Sequence, residues 1–198
     1  WIGNITAFEP KISREVNGED VLEFTCLEPV EKKYRLLFRN KRGWQEYIIA
    51  DYVKKKDRHG VFYDVVAENS FYETLGDPVQ EVRVNNGTAT TALEQVLEQS
   101  RWTTGIIEDF GLGTVEITDS NVKEAVQGHI LNAWQCEFQT RIEVTGNYIS
   151  GRYVALLQPI RQDTGKRFVY NKDMWEIEKE VGSEDVVTAL FGYGKGED

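Results

Sequence analysis

From Asp119 to Leu157 the spacing of apolar residues changes period once, and its two halves predict a helix running into a β-hairpin. Val122, Ala125, Val126, Ile130, Ala133 and Trp134 recur at intervals of three and four, which places them on one helical face. Lys123, Glu124, Gln127 and Asn132 take the opposite face. Ser120 is the expected N-cap, and Asp119 adds negative charge where the helix dipole favours it. Beyond the helix the period drops to two. Phe138, Thr140, Ile142 and Val144 alternate with Glu137, Gln139, Arg141 and Glu143, the pattern of a strand with one wet face. Gly146-Asn147 permits a turn, and Arg152 to Gln158 returns as a second strand. Such a helix can bury its apolar stripe on the dry face of the hairpin.

The opening of the chain is patterned for strands. Ile2 to Phe8 and Lys11 to Val16 read as short strands interrupted by Pro10. Asn17-Gly18 predicts a type I′ hairpin turn, because both of its central residues need positive φ. Leu22, Phe24 and Cys26 then alternate inward. Tyr34 to Phe38, Trp44 to Val53 and Val61 to Glu68 are further strands, the last two joined by a basic tip. Ser70 to Leu75 reads as one helical turn ended by Gly76-Asp77-Pro78, and Val79 to Val84 as a short strand. Asn85 to Thr88 reads as a turn and cap for a helix over Ala89 to Ser100, with Ala89, Ala92, Leu93, Val96 and Leu97 on its apolar face. Trp102 closes this helix and Thr104-Gly105 is expected to break it, with a strand following at Thr114 to Ile117. After Leu157 the strand is expected to continue to Gln162 despite Pro159, followed by strands at Arg167 to Tyr170, Asp173 to Val181 and Val186 to Tyr193 and a linker-like Gly192 to Asp198. The change from an all-β opening to mixed elements puts a domain boundary near Gly76.

With 198 residues and 40% hydrophobic content, the chain can bury one sizeable core or two small ones. No apolar run approaches the roughly 20 residues of a membrane-spanning helix. No signal peptide is evident, and a start at Trp1 rather than Met reads as a processed or excerpted product. The formal net charge of −10 argues against high-affinity binding of duplex nucleic acid, which needs clustered cations. Lys54 to Arg58 is the one basic cluster. It reads as the solvated end of a hairpin, with phosphate contact as the minor alternative.

Candidate chemistry is sparse. Cys26 and Cys136 are too few for a disulfide framework and lack metal-ligand spacing; two buried thiols, or a single disulfide between them, are both open. His59 at a loop tip and His129 on a helix flank have no Cys, Ser or carboxylate at triad or metal spacing. Gly111-Leu112-Gly113 precedes a strand instead of opening a helix, so it lacks the context of a dinucleotide loop. Glu108-Asp109 and Glu184-Asp185 could serve a glycosidase only if placed across a sugar cleft, and adjacent acids are expected by chance among 33. Trp102 and Trp134 read as core, whereas Trp1, Trp44 and Trp175 are undetermined and could line a carbohydrate surface. No catalytic, cofactor-binding or metal-binding residue is assigned, and no cofactor is expected.

One ordered set of residues runs through nearly the whole chain. It begins with Glu15-Val16-Asn17-Gly18, Leu22 and Phe24, followed by Trp44, Tyr47 and Ile48. Ala67-Glu68, Tyr72 and Leu75 precede Ala92-Leu93, Leu97, Trp102 and Gly105. Ser120, Glu124-Ala125, Glu137, Arg152 and Tyr153 form its strongest part. It continues through Gly165-Lys166-Arg167-Phe168, Tyr170, Ile177 and Val187 to Leu190, ending at Tyr193-Gly194. In this order and spacing the chain resembles the N-terminal structural region of the prophage tail endopeptidase (tail-associated lysin, phage minor structural protein) family.

The resemblance implies an α+β, mainly β fold like the baseplate hub of tailed phages: a split small β-barrel of the tail-tube type carrying an inserted two-helix α+β domain. The expected division is 1–75 for the first part of the barrel, 76–149 for the α+β domain and 150–198 for strands returning to complete the barrel. The implied role is a homotrimeric hub at the virion tail tip, assembled in the cytoplasm of a bacterial host. Its implied partners are the distal tail protein and the tail tube and tape-measure proteins, with DNA passing through the lumen without specific binding. An acidic lumen would repel phosphate, so part of the negative charge is expected to face it. Family members often continue into further hub or lytic domains, so no endopeptidase activity is carried onto these residues. Two alternatives stay open: a tail-associated peptidoglycan-degrading enzyme, and a module that binds wall carbohydrate or a receptor through exposed tryptophans.

Overall fold

The computed structural model describes residues 3–58 and 60–159. Trp1, Ile2, His59, Trp175, the acidic pair Glu184-Asp185 and the strands and linker expected beyond residue 160 lie outside them. The described chain is mainly β with a few helices. The strands are β1 Phe8–Arg14, β2 Asp20–Cys26, β3 Arg35–Asn40, β4 Gly43–Asp57, β5 Gly60–Asn69, β6 Pro78–Thr88, β7 Thr103–Ile107, β8 Leu112–Asn121, β9 Glu137–Thr145 and β10 Tyr148–Leu157. An eight-stranded mixed sheet has the order β1-β2-β5-β4-β9-β10-β7, with β3 paired to β4, and β6 and β8 form a separate two-stranded ribbon. Among the described residues the large sheet does not close into a barrel.

Two cores divide the apolar residues. Leu22, Phe24 and Cys26 do alternate inward, and they pack with Tyr47, Ile49, Tyr63, Val65 and Ala67 from β4 and β5. The second core gathers the β6–β8 ribbon, helix α1 (Ala89–Leu97), the second helical run and the inward residues Ile142, Val154 and Leu156 of the β9–β10 hairpin. All five expected face residues of α1 are buried, and Thr88 caps it by accepting from the Thr91 N–H at 3.2 Å. The helical run after β8 buries its stripe in this same core.

Several local expectations need correcting. The turn between β1 and β2 is not type I′. Asn17 alone has positive φ, at 58°, within a loop closed by the Glu15 N–H donating to the Glu19 carbonyl at 2.7 Å. The Asn17 side chain is committed elsewhere, donating to the Cys136 carbonyl at 3.0 Å and accepting from the Phe138 N–H at 2.9 Å. The opening strands are also drawn differently. Ile2 to Phe8 is not a strand over its described part, and β1 absorbs Pro10 through an irregularity between Phe8 and Lys11.

α1 ends before Thr104-Gly105, as expected, and no strand is predicted for that pair. It nevertheless lies within β7, which runs parallel to β10, and a Cβ on Gly105 would come within 3.1 Å of the Tyr153 Cβ and 3.2 Å of the Val154 carbonyl oxygen. The glycine is what permits that approach. Asn85 to Thr88 belongs to β6, where a register shift between Val84 and Gly87 takes up the extra residues.

The second helix is capped by Asn121, whose side chain accepts from the Glu124 N–H at 3.0 Å, and not by Ser120. It is α-helical over Val122–Glu124, π-helical over Ala125–Ile130 and α-helical again over Leu131–Trp134. The wider turn shifts the phase of the residues C-terminal to it. Leu131 is therefore buried and Ala133 exposed, the reverse of what a constant 3.6-residue period predicts. At the far end β10 stops at Leu157, where the Gln158 N–H donates to Glu108 instead of continuing the ladder.

Candidate functional site

The polar side chains with the most partners form two ties across the large sheet. Glu46 on β4 has no exposed side-chain surface. Arg152 on β10 grips it twice, Nε to Oε2 at 2.8 Å and Nη2 to Oε1 at 2.9 Å, although β9 lies between the two strands in the sheet order. Arg35 on β3 adds a third bond at 3.0 Å and also pairs with Glu73 of the 3₁₀ helix Ser70–Gly76 at 2.5 Å. Burial alone would push the Glu46 carboxyl up, but the Arg152 and Arg35 guanidinium groups reverse this and hold it below the ordinary carboxylate range. A carboxylate so held is an anion at neutral pH with its lone pairs occupied. It joins strands and is badly placed to exchange protons with a substrate.

The second tie centres on Tyr47, which is fully buried. Its hydroxyl donates to Asp20 of β2 and accepts from Arg14 of β1 at 3.0 Å. Arg14 and Asp20 also pair directly at 2.9 Å, and Asn69 donates to Asp20 at 3.0 Å and to Thr140 of β9 at 3.2 Å. Burial, followed by the Asp20 carboxylate, raises the Tyr47 phenol well above its ordinary value, so it stays a neutral donor. The sequence gives little warning of these ties. Trp44-Gln45-Glu46-Tyr47 reads as an ordinary strand, and Arg152, though part of the resembling set, lies 106 residues from its partner.

Above the first core lies an open trough of about 1190 Å³, walled by Ile5, Ile12, Leu22, Phe24, Leu36 and Phe38, with Arg35 and Arg152 at its polar side. Most of its lining is apolar.

The other candidates fall into structural places. Cys26 and Cys136 are free thiols, buried in different cores. Burial pushes the Cys136 thiol up to about 11 and raises Cys26 as well. His129 is exposed on the second helix. Trp102 and Trp134 are buried as expected, and Trp44 packs half-buried against the second core. Gly111 takes φ of +73°, and a Cβ on Gly113 would sit 2.8 Å from the Trp134 indole, so this glycine pair serves a turn and a close packing contact. Glu108 and Asp109 accept hydrogen bonds from Gln158 and Gly111 N–H groups. Among the described residues no group of three or more His, Cys, Asp or Glu side chains is arranged to hold a metal ion, and no helix is long and apolar enough to cross a membrane.

No protein-family model matches the sequence, and no curated protein matches it. Among solved structures, the chain is similar to the tail protein from Neisseria meningitidis MC58, with 11% sequence identity and a TM-score of 0.48 over 70% of this chain and 41% of that one. The chain thus spans less than half the length of that protein.

Proposed function

We propose that this chain is a structural component of a phage or prophage tail tip, a trimeric hub that continues the tail tube, with no catalytic role of its own. The observation that carries this reading is the work of the resembling residues. Asn17 locks the first hairpin to β9, Arg152 ties β10 to β4, Gly105 lets β7 approach β10, and Trp102 fills the second core. The side chains that link the sequence to the tail family are spent on holding strands together, as a load-transmitting ring requires.

In this reading the chain divides as 1–75 for the first part of a small barrel, 76–149 for an α+β domain and 150–198 for strands that complete the barrel. The ring sits in the virion, between the tail tube and tape-measure proteins and the distal tail protein, and part of the net charge of −10 lines its lumen so that DNA passes hydrated and unbound.

Two experiments test it. Negative-stain images of the purified chain are expected to show three-fold rings with a central hole, and a zymogram with cell-wall substrate is expected to show no clearing. Clearing by the purified chain would move the assignment to the peptidoglycan-degrading alternative.

A further inference from the structure

The hairpin joining β4 to β5 is longer than the sheet that supports it. β2 pairs with β5 only as far as Tyr63, and β3 pairs with β4 only as far as Ile48. From Asp51 to Arg58 every residue but Tyr52 is exposed. The run Lys54 to Arg58 holds four cations and one carboxylate, a net charge of +3 on a chain of −10. Lys55 is paired with Asp64 at 2.5 Å. Lys54 and Lys56, two residues apart on a strand, share the other face, where the Lys54 ammonium lies 5.8 Å from the centre of the Tyr63 ring.

The opposite sign is concentrated elsewhere. Residues 77–134, which hold the β6–β8 ribbon and both main helices, carry nine carboxylates and three cations, a net charge of −6. Glu94 on α1 and Glu98 at its C-cap are exposed four residues apart, a mutually repelling pair with no ion-pair partner among the described residues. This acidic module comes directly after the 3₁₀ helix at the Asn69 end of β5, whereas the basic tip is at the Gly60 end. Ten strand residues separate the two ends, roughly 30 Å at the usual rise per residue.

We infer that the β4–β5 hairpin is an intermolecular arm whose Lys54/Lys56 face docks on the acidic α1 surface of a second copy of this chain. The two surfaces are different patches of one chain, so copies that pair them meet head to tail. A contact of that kind is heterologous, and it closes into a ring when the rotation per copy divides a full turn. The inference rests on the proposed ring and adds the residues that make the contact. Lysines on an exposed strand can also serve simply to block edge-to-edge pairing, which predicts no dependence of assembly on their sign.

The test uses the whole chain. Assembly mass is measured by light scattering at low and high salt for the wild type, for K54E/K56E and for K54E/K56E combined with E94K/E98K, with circular dichroism to establish that each is folded. The expected result is a wild-type ring weakened by salt, a K54E/K56E variant needing roughly tenfold or more protein to assemble, and recovery in the charge-swapped combination. Zero-length carbodiimide cross-linking of mixed isotopically labelled copies is expected to join Lys54 or Lys56 of one copy to Glu94 or Glu98 of another. A ring unchanged by K54E/K56E and free of such cross-links overturns the arm and leaves the ring itself standing. A single-copy mass for the wild type at every concentration overturns both. A gel shift of duplex DNA that K54E/K56E abolishes while assembly is unchanged also overturns the arm, in favour of a polyanion site.

Discussion

Glu46 shows how much a single residue can be asked to hold. It is a buried anion whose charge is tolerable because two arginines from other strands reach it. Removing Arg152 takes away two charge-assisted bonds and leaves Arg35 as the remaining cationic partner, so Arg152→Met is expected to lower unfolding free energy by about 2–3 kcal/mol in urea titrations. A loss under about 1 kcal/mol would mean the pair is not tight. The depressed Glu46 value also fixes a sign. Its folded-state pKa lies below the unfolded one, so its contribution is fully present above the unfolded value and is lost as pH falls through the folded one. Glu46→Gln is therefore expected to flatten the acid limb of the stability–pH curve. Cys136, raised to about 11, is a neutral thiol at pH 8 in the native state. It is expected to resist thiol reagents until the protein unfolds, and fast native labelling would show that it is accessible. Little of this chemistry can be read from local sequence, because Glu46 is polar in a strand pattern and its partner is 106 residues away.

At the scale of elements, the legible parts are those whose fate depends on near neighbours. The inward alternation of β2 and the buried face of α1 result from period alone. The illegible parts are set by contacts between elements. β7 is missed because Thr104-Gly105 reads only as the stop of a helix, yet it is held by parallel pairing with β10, about fifty residues on. The π-helical turn displaces Ala133 from the core in favour of Leu131, a phase change that a constant period cannot foresee. Asn17 looks like half of a local turn, but its amide ties that turn to β9. Asn17→Gly keeps the positive φ and loses both bonds, so it is expected to cost about 1–3 kcal/mol, with Asn17→Ala costing more because of its backbone strain. Equal stability of Asn17→Gly and wild type would show that the tie contributes nothing. Gly113→Ala is expected to destabilise by about 1–3 kcal/mol by driving a methyl into the Trp134 ring, seen as a change in near-ultraviolet circular dichroism.

For the whole molecule, the sequence pattern reaches the class, an α+β fold dominated by strands. It does not reach the sheet order, since joining β4 to β9 pairs Trp44 with Ile142 across most of the described chain. The proposed hub explains three features together. The polar side chains bind strand to strand, an apolar trough lies above the first core among the described residues, and a basic hairpin tip stands on a chain of net negative charge. Each feature suits a part that completes itself by assembly. The most direct measurement is absolute mass by light scattering over a wide range of concentrations. The account expects a species of three times 22.8 kDa to dominate as concentration rises. A mass of 22.8 kDa that persists at every concentration would contradict it.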